Sequence, residues 1–387
     1  GRGGLRMSLA PKLAEGLPGV RDWWARYPYS CLEQVTSKAV GMSDATLWQS
    51  TMGQLPSYLD SDGLASYFPL AGDGSGRAAR GSDTLTAHLL NLSALAQGVD
   101  KRFVLPAAER ERMENGLIAF VEGRIQRSFW SPRKDLDMRK VAALEALSRY
   151  GKAQGRMVSS ITIAPNQWPT HTVIDWVNVL KRVADVPQRD QRLAEAMQIL
   201  RARLSFQGTK LIFSTEQDDY WWWLMQNGDV NTARLMLAVM DDPTWKDDMG
   251  RLANGFISRQ QAGAWHTTTA NLWGGLALEK FSAKFEAVPV SGTTKASMGG
   301  NAASVDWSKV ERVKTSDLTG APHQGTWFGA PASPGNLKNN GMFLPWSKAG
   351  GKEQLAVTHQ GPGKPWLTLQ SVAAVQLKAP FSAGYTV

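Results

Sequence analysis

One unit recurs between residue 32 and about residue 283, and it restricts the fold more than any other feature of this chain. An aromatic-rich extended stretch leads into a helix that opens with a Thr-Ala step. ASYFPLAGDGSGRAARGSDTLTAHLL carries it first, LIFSTEQDDYWWWLMQNGDVNTARLML repeats the order, and ISRQQAGAWHTTTANLWGGLAL repeats it again. SDTLTAHLLNLSALAQG begins with a Ser/Asp cap, spaces its apolar residues for one helical face, and stops at Gly98. AERERMENGLIAFVEGRIQR, LDMRKVAALEALSRYGK, HTVIDWVNVLKRVA, QRDQRLAEAMQILRARL and WKDDMGRLANGFISRQQ are helical by the same spacing. With short pieces around 22–26, 32–40 and 44–55, about a dozen helices fit. Helix–loop–helix units bury their apolar faces by stacking on their neighbours. The expected fold is therefore mainly α, a closed α/α toroid with its loops collected at one rim.

The texture changes after Phe285. FEAVPVSGTT, NGMFLPW, EQLAVTHQG and WLTLQSVAAVQLKAP alternate apolar and polar residues between Gly and Pro breaks, which is strand patterning. MSLAPKLA near the start reads as one more strand, and its pairing with the C-terminal strands would make the helical domain an insertion in a β domain. The expected boundaries are 1–14 for the first β segment, 15–284 for the helical domain and 285–387 for the rest of the β domain. SGTTKASMGGNAAS reads as a loop between strands. AGDGSGRAARGSD lacks the Lys-Ser/Thr of a phosphate-binding loop and reads as a surface loop.

The charge excludes less than it first promises. The chain carries a net +9, but its Lys and Arg are scattered and do not interleave with aromatics, so a solvated basic face is expected and no nucleic acid partner. No apolar run is long enough to span a bilayer, and GRGGLRMSLAPK lacks the apolar core of a signal peptide. The chain does not begin with Met and ends on PFSAGYTV, so a piece of a longer protein is expected.

The only cysteine, Cys31, stands in RYPYSCLEQVTSKA with Gln34 three residues on. Residues so spaced share a helical face. Attack of the thiolate on the Gln34 amide would expel ammonia and leave an intrachain thioester, an acyl donor to amines and hydroxyls. Such a bond lasts only where water is excluded, and Tyr27, Tyr29, Trp23 and Trp24 lie near enough in sequence to help. The four-residue pattern alone equally fits a lone buried thiol beside a surface amide. A single Cys supports neither a disulfide framework nor a thiol-based zinc site, and His171, His323 and His359 have no companions at ligand spacing, so no metal and no cofactor are expected.

YPYSCLEQ resembles the thioester motif of bacterial α2-macroglobulins and, more distantly, that of complement-type thioester proteins. The resemblance extends over essentially the whole chain, through GSDTLTAHLL, LDMRKVAALEALSRYG, STEQDDYWWWLM, TTTANLWGGLALEKFS and GPGKPWLTLQSVAAVQLKAPFSAGY. It implies an α/α-toroid thioester domain inserted in a smaller CUB-like β-sandwich. It makes Cys31 and Gln34 the thioester partners, Glu33 the acid of the motif and Tyr27 the tyrosine that shields the bond. It further implies a broad-spectrum protease trap, an inhibitor and not an enzyme, whose parent protein lies in the periplasm, anchored to the inner membrane. Attacking proteases would be its covalent partners, and other domains of the same parent its non-covalent ones. Some complement-type relatives pass the acyl group to hydroxyls through a His. The corresponding region here reads FWSPRKDLDMRK, so direct attack by Lys amines is expected.

Two rivals are kept. The sixteen Trp and the QDDYWWW run would suit a toroidal carbohydrate-active enzyme using Asp218 or Asp219, although adjacent Asp side chains seldom flank one scissile bond. A thiol hydrolase would pair Cys31 with a distant His. His88, inside a helix, reads as a core or groove residue, and His266 as a loop-packing residue near the rim.

Overall fold

The computed structural model describes residues 3–14, 17–70, 81–215, 218–312, 337–347 and 351–374. The AGDGSG stretch at 71–76, His323 and the chain after 374 lie outside them. Two compact units form: Leu17–Lys280, and Gly1–Gly16 together with Phe281–Val387.

Among the described residues there are eleven α-helices: α1 (Pro18–Arg26), α2 (Leu32–Gly41), α3 (Ala45–Gln54), α4 (Asp83–Ala96), α5 (Ala107–Val121), α6 (Leu136–Ser148), α7 (Thr170–Arg182), α8 (Arg189–Arg203), α9 (Gly228–Val239), α10 (Met249–Ile257) and α11 (Thr268–Phe285). Their starts follow from local chemistry: Asp44, Ser82 and Asn227 accept from the backbone N–H three residues on and cap α3, α4 and α9. α2 packs on α4, α4 on α6, α6 on α7 and α7 on α9, while α3, α5, α8 and α10 pack against single members or pairs of that series. Burial separates the two sets. Thr170–Leu180 of α7 is buried all round, as an inner helix must be, whereas α8 buries only Ala196 and Leu200. The last inner helix returns to the first: Thr268 of α11 donates to Glu33 of α2 at 2.9 Å. The helical unit is thus the expected closed α/α array.

The recurring sequence unit marks inner helices. The Thr-Ala steps are Thr86-Ala87 of α4, Thr232-Ala233 of α9 and Thr269-Ala270 of α11, and each helix is preceded by an isolated antiparallel bridge, Ala65 to Ser82, Trp221 to Gln226 and Gln261 to Ala264. These leading loops meet at one rim. Leu32 N–H bonds to Tyr67 O at 2.8 Å, Thr269 Oγ1 to Met225 O at 3.4 Å, Trp223 Nε1 to Asp135 Oδ2 at 3.0 Å, and Thr170 N–H to Asp219 Oδ1 at 2.8 Å. The N-termini of the six inner helices therefore lie at the same end of the array.

The other unit holds two three-stranded antiparallel sheets, in strand order β10-β1-β8 and β5-β4-β9, and a two-stranded ribbon of β6 (Glu311–Arg312) and β7 (Leu337–Lys338). The first sheet is β1 (Gly3–Ala10), β8 (Gly341–Pro345) and β10 (Trp366–Ala373), and the second is β4 (Thr293–Met298), β5 (Asn301–Asp306) and β9 (Leu355–Gln360). Alternate residues point inward, and Met7, Leu9, Met342 and Leu344 of one sheet share a core with Ala296, Met298 and Val305 of the other. Because β1 lies between β8 and β10, the helical unit is inserted between strands of one sheet. The sequence reading of SGTTKASMGGNAAS as a loop is wrong. It is the β4–β5 hairpin, turned at Gly299 and Gly300 with φ of 56° and 84°, values glycine adopts without a Cβ clash. A second hairpin, β2 (Leu204–Gln207) with β3 (Lys210–Phe213), lies in the helical unit where no strand is expected from sequence.

Candidate functional site

Cys31 is the N-cap of α2, with an extended backbone (φ −65°, ψ 164°). It forms a reciprocal capping box with Gln34: the Gln34 N–H points at the thiol, and the Cys31 N–H donates to Gln34 Oε1 at 3.1 Å. A thiol thus occupies the place usually taken by a Ser or Thr hydroxyl, and the carboxamide folds back over it. The far side of the carboxamide is held too, since Gln34 Nε2 donates to Tyr27 Oη at 2.9 Å. Cys31 N–H is a donor only, so the Gln34 atom facing it is the oxygen, which fixes the amide orientation and leaves the nitrogen toward Tyr27.

Tyr27 comes from the end of α1. Its N–H bonds to Trp24 O at 3.2 Å, its ring stacks on Trp23 with centroids 4.7 Å apart, and Tyr29 meets it edge-on at 5.4 Å. Trp24 is fully buried and anchors α1 to α2, where a Cβ on Gly41 would come within 2.4 Å of Trp24 Nε1. Tyr29 is 64% exposed, so of the four aromatics near the thiol in sequence, Tyr27 alone bonds to the Gln34 amide and Tyr29 stands largely in solvent. Glu33 points the other way, into the array. Its carboxylate accepts from Ser37 Oγ at 2.8 Å and from Thr268 Oγ1 at 2.9 and 3.1 Å, tying α2 to α11.

Burial sets the proton affinities here. It pushes the Cys31 thiol up, with the Gln34 and Glu33 N–H groups opposing and the Glu33 charge reinforcing, so the resting sulfur keeps its proton near neutrality. Burial likewise raises Glu33 against its two hydroxyl donors, and raises Tyr27, with the Glu33 charge adding to it.

Of the two carboxylates of the carbohydrate-enzyme rival, Asp219 is committed to holding the fold, and Asp218 stands in solvent without a second carboxylate facing it across a cleft among the described residues. Asp219 is 1% exposed and spends its oxygens on Thr170 N–H, Thr170 Oγ1 and Thr215 Oγ1 at 2.6–2.8 Å, capping α7. Asp218 is exposed beside it, and its backbone carbonyl, not its carboxylate, receives Trp221 Nε1. Trp221 is buried under the Arg133 guanidinium. The four described histidines do not support a thiol hydrolase. His88 packs on Trp273 and His171 on Trp221, His359 bonds to Thr294 and Pro362 in the β unit, and His266 is exposed. Among the described residues no group of His, Cys, Asp and Glu has the arrangement to hold a metal ion, and no helix is long and apolar enough to cross a membrane.

The structure brings together a set of residues that sequence reading did not single out. Glu145 of α6 accepts from Arg149, Asn178 and Arg182 at 2.6–3.2 Å, while Arg234 of α9 pairs with Asp175 of α7. All lie on inner helices except Arg149, the C-cap of α6, so a charged network runs between inner helices of the array. Burial alone would raise Glu145, but the Arg149, Arg234 and Arg182 charges outweigh it and bring it down to about 2. The signal was present as a lone charge inside otherwise apolar runs: Glu145 in AALEALS, Asp175 in TVIDWV and Arg234 in TARLML. Beside the network lies a cavity of about 40 Å³ lined by His88, His171, Asp175, Gln226, Arg234 and Trp273, space for about three waters. Cys31 and Gln34 do not line it.

Both cavity histidines are held neutral by burial and the Arg234 charge, His88 down to about 4 and His171 to about 3. A histidine whose folded value lies below its unfolded 6.5 stabilises fully above that value and loses this contribution as pH falls toward the folded value. His88→Gln removes one such group. The stability lost between pH 7 and pH 5 is therefore expected to shrink by about 2 kcal/mol. Urea unfolding of both proteins at the two pH values measures it, and an unchanged pH dependence would place the titration elsewhere.

A closed α/α array inserted in an antiparallel β unit, with a mutually bonded Cys/Gln pair heading one inner helix at the loop rim, defines the class of molecule. No protein-family model matches the chain, and no curated protein does. Solved structures do. The crystal structure of native α2-macroglobulin from Escherichia coli, spanning domain MG7 to the C-terminus, superposes with a TM-score of 0.56 at 14% identity, covering 95% of this chain and 52% of that one. E. coli α2-macroglobulin activated by porcine elastase gives 0.54 at 13% identity, over 94% of this chain and 29% of that one. Salmonella α2-macroglobulin reacted with methylamine gives 0.53 at 15% identity, over 95% of this chain and 21% of that one. The chain has the fold of the corresponding part of bacterial α2-macroglobulins and spans about half, or about a fifth, of the chains it matches.

Proposed function

We propose that this chain is the thioester-bearing part of a bacterial α2-macroglobulin-type protease inhibitor, with 15–284 as the thioester domain and 1–14 and 285–387 as a CUB-like β domain. The observation that carries the reading is the reciprocal bonding of Cys31 and Gln34 on the first turn of α2, which folds the carboxamide back onto the residue whose thiol would attack it. It stands in a fold shared with proteins solved after treatment with elastase and with methylamine.

The chemistry follows from the pair. Thioester formation joins Cys31 Sγ to the Gln34 side-chain carbonyl carbon and releases ammonia. A Lys amine of an attacking protease then takes the acyl group, so that Gln34 ends bound to the protease and the Cys31 thiol is freed. The pair is consumed in one event, which makes the molecule an inhibitor and not a catalyst. Cleavage of a bait elsewhere in the parent protein would bring the protease to the bond. A periplasmic parent tethered to the inner membrane fits this role. Among the described residues no histidine bonds to the pair, which favours amines over hydroxyls as acceptors.

Intact mass of the full-length parent tests the reading. The protein is expected to weigh one ammonia less than its encoded chain. Methylamine should add to Gln34 and release one alkylatable thiol, and glycerol should react far more slowly. An encoded mass in freshly prepared full-length protein, with the thiol already free, would remove the thioester from the account.

A further inference from the structure

The two hydrogen bonds on the Gln34 amide do more than hold it. The carbonyl oxygen sits 3.1 Å from the Cys31 N–H, and the nitrogen 2.9 Å from the Tyr27 hydroxyl. These are the two atoms that change charge and proton count when a nucleophile adds to an amide. We propose that Tyr27 is the proton donor for thioester closure, handing its hydroxyl proton to the departing Gln34 nitrogen while the Cys31 N–H receives the developing oxyanion. This rests on the reading of Cys31 and Gln34 as a thioester pair, and gives Tyr27 a part in making the bond in addition to any part in shielding it.

An amide nitrogen changes its hydrogen-bonding role during the addition. In the resting amide its lone pair is delocalised, so it is a donor only, and it donates to Tyr27 Oη. Once Cys31 Sγ has added, the carbon is tetrahedral and the nitrogen becomes an ordinary amine that accepts a proton. Its partner must accept before the addition and donate after it. A phenol hydroxyl does both without moving, whereas a Lys ammonium only donates and a carboxylate only accepts. Burial, reinforced by the Glu33 charge, raises Tyr27, so the hydroxyl carries its proton at neutral pH. The ring is fixed by its stack on Trp23 and by edge contacts with Trp24 and Tyr29, which hold Oη on the nitrogen. On the other side the oxyanion forms at the first turn of α2, where the backbone N–H groups and the positive end of the helix favour negative charge.

The step balances. The Sγ–Cδ bond forms and the Cδ–Nε2 bond breaks. The Tyr27 proton leaves with the nitrogen as ammonia, and Tyr27 regains a proton from solvent, which has received the thiol proton of Cys31. The net change is thiol plus carboxamide to thioester plus ammonia, with no other reactant.

Tyr27→Phe in the full-length parent tests this, since it keeps the stacked ring and removes only the hydroxyl. Opening the thioester with ammonia restores Gln34, and removing the ammonia lets it close again. Closure is followed by intact mass and by loss of the alkylatable thiol. The variant is expected to close about 10²-fold more slowly or worse, and by microscopic reversibility to open with ammonia more slowly by the same factor. Its urea unfolding midpoint is read alongside, and a slow closure counts only in protein that unfolds as the unsubstituted protein does. A tyrosine that merely shields gives the opposite signs: normal closure and faster opening. That result overturns the proposal while leaving the thioester reading intact. Absence of the ammonia-loss mass in the unsubstituted protein takes down both.

Discussion

Arg234→Met, made alone, is expected to destabilise the helical unit by about 3–5 kcal/mol. The substitution keeps an unbranched side chain of good helix propensity in α9, so the loss is electrostatic and not a propensity effect. Arg234 is 8% exposed and pairs with Asp175, which is 2% exposed, and its charge also bears on Glu145. Removing the guanidinium leaves Asp175 buried with no cation bonded to it among the described ion pairs, and a buried charge without a partner is far costlier than a buried pair is favourable. Glu145 keeps Arg149 and Arg182 and should stay ionised. Asp175, already raised by burial, would rise further and take up a proton. A carboxyl whose folded value exceeds its unfolded 3.8 gains stability as pH falls through the folded value, so the single variant should recover part of its loss on mild acidification. Arg234→Met combined with Asp175→Leu removes both charges and should be much closer to the unsubstituted chain than the single variant. Urea unfolding of the unsubstituted chain, Arg234→Met, Asp175→Leu and the double variant forms a double-mutant cycle. A cost below about 1 kcal/mol for Arg234→Met would show the pair to be solvated and the network unimportant for stability.

That network marks the boundary of what the sequence discloses. Helix spacing is a local signal, and α4 through α9 could be located from their apolar spacing and their end signals. The repeated Thr-Ala steps went further, because in the structure they open inner helices whose leading loops share a rim. The N-terminal strand was legible in part: MSLAPKLA covers 7–14 whereas β1 runs Gly3–Ala10, and it does pair with C-terminal strands. Which charges meet inside the array was not legible. Glu145, Asp175 and Arg234 are separated by 30 residues or more, and only closure of the array brings them together. The β2–β3 hairpin was missed for a different reason. Its strands have four residues each, follow a helix without a break, and lack clean alternation, so Gly208 with its φ of 61° at the first position of a two-residue turn was the one available cue. Asp219 shows how a motif misleads. Beside three tryptophans it resembles half of a catalytic pair, but Thr170 and Thr215 claim its oxygens, and they lie on other parts of the fold or behind it in the loop. The Cys31 and Gln34 pairing could be read because it is itself a local feature, a capping box whose members lie three residues apart.

The same local character allows structure and chemistry at Cys31 to be separated. Cys31→Ser in the full-length parent is expected to abolish covalent attachment to proteases while preserving the fold. Ser is among the preferred N-cap residues, and its hydroxyl accepts from the Gln34 N–H as the thiol does. The capping box survives, α2 keeps its start, and unfolding stability should change by about 1 kcal/mol or less, with any gain in the direction of Ser. The acyl chemistry does not survive. A serine hydroxyl at the N-cap has no base bonded to it, because the carboxylate of Glu33 is turned inward to Ser37 and Thr268. It is therefore a poor nucleophile toward a carboxamide, and Gln34 remains an unactivated amide that a Lys amine does not displace. Exposing both proteins to a lysine-bearing protease and resolving the products under denaturing conditions reads the result. The unsubstituted protein should give high-mass covalent products, and the variant none. Covalent products that persist in Cys31→Ser would move the acyl donor away from Gln34. Loss of products together with a stability loss of several kcal/mol would instead mean that the thiol is needed for the cap itself, and that the first turn of α2 is built differently from the reciprocal box in which Cys31 and Gln34 hold one another.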